Sequence, residues 1–189
     1  MKKAKAAYIS VIILCTLLFT SIIGWISVYT TNSILENNAI TVMRLSCEKT
    51  SLYFDEITNS IEQSVDTLCA LSVLQMEDFE RFKTDNSYVE EYSEHFSSTL
   101  LNAAYSTTGA MSVYIRFNND FAAPHAGLFY VLNKTTGEFE KTQTTNLDNP
   151  EDENIIWYTL PIEKGVGVWT EPYHNSLIDY YMISYPVPI

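Results

Sequence analysis

The feature that constrains this chain most is an apolar run over residues 6–29, which contains no Asp, Glu, Lys or Arg. A helix rising ~1.5 Å per residue over that length covers the roughly 30 Å hydrocarbon layer of a bilayer. A cleaved signal peptide is the competing reading. The run is longer than the ~7–15 residues of a signal h-region, and Gly24, Trp25 and Ile26 form no Ala-x-Ala-like cleavage site. Residues 6–29 are therefore read as a transmembrane helix. Lys2, Lys3 and Lys5 precede the run and the next basic residue is Arg44. The excess of positive charge on the cytoplasmic side of membrane spans then leaves residues 1–5 in the cytoplasm and residues 30–189 outside the cell membrane. Trp25 and Tyr29 suit the outer interface, where amphipathic rings sit at headgroup depth.

The exterior part is acidic. Beyond residue 30 the chain carries 8 basic and 23 acidic side chains. Binding to a phosphate backbone depends on clustered Lys and Arg, so nucleic acid is excluded as a partner. Cys15, Cys47 and Cys69 match neither a zinc-site nor a thiol-redox spacing. They are read as packing residues, because 22 residues of helix separate Cys47 from Cys69 and hold their Cα atoms too far apart for a disulfide.

After the span, Ile40, Met43, Cys47, Phe54, Ile57, Ile61, Leu68 and Leu71 recur at threes and fours or their sum, with Thr50 and Ser64 filling the two polar positions. This heptad stripe, uninterrupted by Gly or Pro, predicts that the membrane helix continues as one stalk to about Ser72. The stripe fits contact with the protein's own sheet or the seam of a homodimer, and the pattern serves both. Tyr88, Tyr92, Phe96 and Leu100, followed by Leu101 and Tyr105, predict a second helix lying against a sheet. From Gly109 the period changes: Met111, Val113, Ile115 and Phe117 alternate with Ser112, Tyr114, Arg116 and Asn118, as in a half-buried strand. Strands are expected at residues 128–132 and 138–142, paired as a hairpin through Asn133 and Gly137, and again at 166–170 and 178–185. Residues 143–153, with Asp148, Pro150, Glu151, Asp152 and Glu153, read as an acidic loop. This layout is α+β, with the stalk helix packed on an antiparallel sheet. The chain stops at Ile189 directly after a strand, and the expectation is a C-terminally incomplete domain.

Together and in this order, Tyr114-Ile115-Arg116-Phe117-Asn118, Gly127-Leu128-Phe129-Tyr130-Val131, Trp157-Tyr158, Trp169-Thr170-Glu171-Pro172-Tyr173 and Met182-Ile183-Ser184-Tyr185 with Pro188-Ile189 resemble double Cache receptors. The resemblance covers nearly the whole chain. It implies an extracytoplasmic PAS-like sensor domain, here the membrane-distal module, that binds a small molecule as the input of a bacterial receptor. Outputs in that family include diguanylate cyclases, histidine kinases and chemotaxis signalling domains, and none of their motifs occurs in these residues. In the family's amino-acid-binding subset an Arg stands two residues before the Trp-Tyr pair. This chain has Ile155 there, so the resemblance does not extend to amino-acid binding.

A sensing pocket combines aromatic area with a few charges and hydroxyls that fix orientation. Tyr114 and Arg116 share a strand face, and Arg116 is the only Arg after residue 81. It can fork a carboxylate or phosphate, or else be a solvated strand residue. Trp157, Tyr158, Trp169, Tyr173 and Tyr181 supply the aromatic wall, with core packing as the alternative for each, and Asp179 can take an ammonium group. The expected partner is a small polar or anionic ligand. No cofactor, metal or catalytic residue is expected: His95, His125 and His174 are isolated, and Glu151, Asp152 and Glu153 lack the spacing of a calcium loop. A surface-displayed adhesion or assembly module is the alternative function, and a membrane-bound hydrolase is the weakest.

Overall fold

The computed structural model describes residues 2–119, 122–123, 126–145, 147, 155–175 and 178–189, with the backbone alone for residues 2–4 and 6. Nine elements are assigned among them: helices α1 (Lys2–Leu74), α2 (Phe79–Thr84) and α3 (Asn86–Ser106), strands β1 (Ser112–Arg116), β2 (Gly127–Leu132) and β3 (Phe139–Lys141), helix α4 (Ile156–Lys164), and strands β4 (Tyr173–Asn175) and β5 (Tyr180–Met182). The fold class is α+β, as the periodicities predict. Most of the acidic loop expected at 143–153 lies outside the described residues.

The chain divides into two compact units, Met1–Tyr53 and Phe54–Ile189. The described residues of the first are all helical, and none of its described side chains is buried. Its apolar part makes α1 the one helix among the described residues that is long and apolar enough to cross a membrane. Three hydroxyls inside this part turn back to the helix's own carbonyls, Thr16 Oγ1 to Ile13 O at 2.8 Å, Thr20 Oγ1 to Leu17 O at 3.0 Å and Ser21 Oγ to Leu17 O at 2.8 Å. That arrangement satisfies the hydroxyls without water.

In the second unit the heptad stripe meets the domain's own core, with Leu68 buried and Leu71 packed against the same cluster. Ile40, Met43 and Cys47 of the first unit, and Phe54 of the second, are exposed. The start of the second unit and α3 are tied by Thr107 Oγ1 to Ser64 Oγ at 2.7 Å, by Thr108 N to Ser60 Oγ at 3.1 Å and by Gln75 Nε2 to Thr99 Oγ1 at 3.4 Å. These pairs run in opposite chain directions, so α3 returns antiparallel to α1. Asp85 joins α2 to α3: its N–H donates to Arg81 O at 2.9 Å and its carboxylate accepts from Ser87 N at 3.0 Å, closing one helix and capping the next.

Helix α3 lies directly on the sheet. From its buried face, Tyr88, Tyr92, Phe96 and Leu100 share one cluster with Phe82, Phe117, Leu128 and Tyr130. The sheet is antiparallel in the order β1-β2-β3, with Val113 opposite Tyr130, Tyr114 opposite Phe129 and Arg116 opposite Gly127. Residues facing each other across strands share a side. One face of the sheet therefore carries Val113, Ile115, Leu128 and Tyr130 toward α3, and the other carries Ser112, Tyr114, Arg116 and Phe129. Gly127 holds φ +143, and a Cβ there would run into the Ile115 carbonyl, so this register requires a glycine opposite Arg116. The β2–β3 turn follows the expected chemistry, with Gly137 at φ 76 and the Asn133 side chain accepting from Thr135 N at 2.9 Å.

Two strand expectations differ from what is seen, and one helix falls where the sequence reading placed no element. Residues 156–164 form α4, although Trp157, Tyr158 and Ile156 are strand formers. Gly165 ends it in the left-handed conformation, φ 66, with its N–H bonded to Pro161 O at 2.8 Å. Residues 166–170 are extended but outside the sheets, held by Val168 N to Pro186 O at 3.2 Å and Thr170 N to Ser184 O at 2.9 Å. The strand expected at 178–185 shrinks to Tyr180–Met182, because Asp179 turns the chain at φ 54 and the chain beyond Met182 pairs with residues 168–170 instead.

Candidate functional site

The sheet face turned away from α3 is roofed by α4 and by strand β4. Between face and roof lies a small cavity of about 20 Å³ bordered by Tyr114, Arg116, Phe129, Trp157, Tyr173 and Asn175 among others. That volume corresponds to about one water molecule. Trp157 sits edge-on to Tyr114 with ring centroids 4.7 Å apart, and Phe129 lies edge-on to the same ring at 6.3 Å. The aromatic wall is thus built from three elements, β1, β2 and α4.

Two polar atoms at this wall are sealed from solvent and lack a hydrogen-bond partner among the described residues: the Tyr114 hydroxyl and Arg116 Nε. Burial, followed by the nearby Tyr173, pushes the Tyr114 phenol well above its ordinary pKa, so it stays an O–H donor. Burial lowers the Arg116 pKa, partly offset by Tyr158. Tyr173 is raised by burial and linked to Ser184, with its hydroxyl 2.9 Å from Ser184 Oγ. Arg116 Nη1 donates to Ala126 O and, at 3.2 Å, to Phe117 O, while Nη2 donates to Asn119 Oδ1 at 3.0 Å. The guanidinium therefore pins the segment after β1, and Nε is the nitrogen that this pinning leaves over.

Of the eight residues singled out from the sequence, Tyr114, Arg116, Trp157 and Tyr173 border this cavity. Tyr158, Trp169 and Tyr181 do not. Together with Tyr114, Arg116 and Trp157 they border a much larger apolar groove. Trp169 Nε1 donates to Glu62 Oε1 on α1 at 2.6 Å, and its ring lies 5.3 Å from Tyr185. Tyr181 is 81% exposed. Asp179 borders neither space; its Oδ1 is 2.9 Å from His174 Nε2 at the β4–β5 turn, with the Asp179 side chain 93% exposed. We take the small cavity as the candidate site, because its border adds the buried polar residues Thr144 and Asn175 to Tyr114 and Arg116, and a small polar ligand needs polar groups held out of solvent.

Sequence reasoning missed Phe129, Thr144 and Asn175. Phe129 was legible in principle, since it faces Tyr114 once the hairpin register is set. Thr144 and Asn175 are buried polar residues, one in a connection and the other ending the three-residue strand β4, both too short for periodicity, and only the folded chain brings them together. No group of three or more His, Cys, Asp or Glu able to hold a metal occurs among the described residues. His125 and the run Glu151, Asp152 and Glu153 lie outside them.

With this geometry in hand, residues 96–189 match the family model described as methyl-accepting chemotaxis protein-like, first PDC sensor domain, a PAS-like extracytoplasmic sensor. The matched stretch begins within α3 and takes in both sheets and α4. It supports a sensory input role. No curated protein and no solved structure matches the chain.

Proposed function

We propose that the chain is the membrane-anchored input part of a bacterial receptor, with residues 6–29 in the membrane, residues 1–5 in the cytoplasm and residues 30–189 outside. In this reading a small polar or anionic ligand binds between β1 and α4, without a cofactor, and the output is carried by a separate signalling domain. The observation that carries the reading is the pair of sealed, unpartnered donors, Tyr114 Oη and Arg116 Nε, beneath an aromatic roof. A buried donor without a partner costs about 1–3 kcal/mol, and a ligand carboxylate or carbonyl removes that cost. At about 20 Å³ the cavity is smaller than such a group, so in this reading binding lifts the roof, and that displacement is the signal.

The test is a thermal-shift screen of small carboxylates, phosphates and polar amides against the full chain in detergent micelles, followed by calorimetry on each hit. Tyr114→Phe removes one donor and keeps the ring, and it is expected to weaken binding about 10-fold or more, as loss of a partnered buried donor does. Trp157→Ala is expected to weaken it further. Unchanged affinity in both variants, with circular dichroism spectra intact, would remove this cavity as the site.

A further inference from the structure

Among the described residues that border the small cavity, Arg116 is the only one with a full charge, and none is Asp or Glu. Its guanidinium is half-buried, and burial lowers its pKa, the mark of a cation held partly out of water. A charge taken out of water is stable where an opposite charge stands beside it. The chain carries 23 acidic side chains against 11 basic ones. Among the described residues the ion pairs are Arg81 with Asp85, Lys83 with Glu80 and His174 with Asp179. Arg116 is in none of them. Its three hydrogen bonds all end on neutral acceptors, the carbonyls of Ala126 and Phe117 and the side-chain amide of Asn119. Exposed Arg81 thus has a carboxylate beside it, while the half-buried arginine at the cavity has none among the described residues.

The uncompensated charge defines what fits. An anion satisfies Arg116, and one of its oxygens also accepts from the sealed Tyr114 hydroxyl on the same strand face. A carboxylate is planar and small, and it presents two anionic oxygens, one for each donor. A second negative charge meets no further cation at the cavity, and an ammonium meets no carboxylate there and faces Arg116 as a like charge. Phe129, Trp157 and Met182 give the rest of the ligand an apolar wall. The cavity is about 20 Å³, and each added methylene lifts the roof further, so the alkyl part is short. We propose, resting on the reading of this cavity as the ligand site, that its ligand is a short aliphatic monocarboxylate without an amino group, bound as the anion, with its carboxylate on Arg116 Nε and Tyr114 Oη. The Nη bonds are kept, so the anion adds to the existing set and the segment after β1 stays pinned.

The test compares propionate, propionamide and alanine by titration calorimetry on the full chain in nonionic detergent micelles. The three share one carbon skeleton; the amide removes the charge and alanine adds an ammonium. Propionate is expected to bind at least about 10-fold more tightly than either, because a charge-assisted bond is about twice as strong as a neutral one. Arg116→Gln, with its circular dichroism spectrum intact, is expected to bring propionate to within about 3-fold of propionamide. The deciding comparison is made on the native protein and stands even if that variant fails to fold. Propionamide or alanine binding as tightly as propionate, and weakened by Tyr114→Phe, overturns the monocarboxylate and leaves the cavity as the site. Propionate binding that neither Tyr114→Phe nor Trp157→Ala weakens overturns both. An advantage of propionate that survives Arg116→Gln in a folded protein overturns the assignment of its carboxylate to Arg116. Propionate failing to bind up to about 10 mM overturns the monocarboxylate alone, and the cavity then stands or falls by the wider screen.

Discussion

Cys69 shows how a single position reports its surroundings. Burial, with Asp66 adding to it, pushes the thiol from 9.0 up to about 11. The reactive species is the thiolate, so near neutral pH it is about 100-fold scarcer than for a thiol of ordinary pKa. Iodoacetamide is therefore expected to label exposed Cys47 well before Cys69 in the full chain, with the order read by mass spectrometry, and equal rates would contradict the packing of α1. The same shift sets a pH dependence. The native thiol keeps its proton between about pH 9 and 11 while the unfolded one loses it, so this contribution is complete below about pH 9 and gone above about pH 11. Tyr92, raised by burial to about 12, acts with the same sign at higher pH. Melting temperature should fall as pH rises from 9, and a flat profile to pH 11 would show that Cys69 is not desolvated.

At the scale of elements, the C-terminal end of α1 carries the clearest prediction. The last carbonyls of a helix have no partner in the next turn. Leu71 O accepts from Gln75 N at 2.9 Å, but Met76 N turns to Val73 O at 3.2 Å, which leaves Ser72 O without its usual donor. The buried Tyr92 hydroxyl supplies one at 2.8 Å. Tyr92→Phe keeps the ring and deletes that donor, with an expected loss of about 1–3 kcal/mol by denaturant titration, whereas a loss near zero would mean that the carbonyl is hydrated instead. The elements most legible in the sequence were those whose burial follows a single period: α1, α3, and β1 to β3 with the Gly137 turn. Helix α4 was not legible, because Trp157 and Tyr158 favour strands by propensity and the helix is selected by what its aromatics cover. For the same reason the site was half legible. The alternation on β1 placed Tyr114 and Arg116 on the face opposite the core, but nothing local distinguishes Tyr173, which reaches the cavity, from Tyr181, which lies in solvent. Trp157, Tyr158, Trp169, Tyr173, Tyr180 and Tyr181 share one composition signal, and their separation depends on where β4 and β5 turn.

For the whole molecule, the proposed topology follows from charge at one end of the span. A reporter fused after residue 60 is expected to be active only outside the cytoplasm, and replacing Lys2, Lys3 and Lys5 with Glu should weaken that bias. Activity on the cytoplasmic side with the native lysines in place would reverse the orientation. The Tyr92–Ser72 bond has a mechanical consequence for any receptor built this way. A hydroxyl held on a carbonyl at 2.8 Å is a detent: α3 and the end of α1 can rock about it, but sliding by one residue, ~1.5 Å, disengages it. Small displacements therefore spring back, and a larger one has to be driven. If disengaging the bond costs about 1–3 kcal/mol, a ligand must favour the slid arrangement by roughly 5- to 150-fold to hold it there. In the proposed reading a ligand that discriminates less leaves the bond engaged, so substitution at Tyr92 is expected to move that threshold without altering the binding cavity, which Tyr92 does not border.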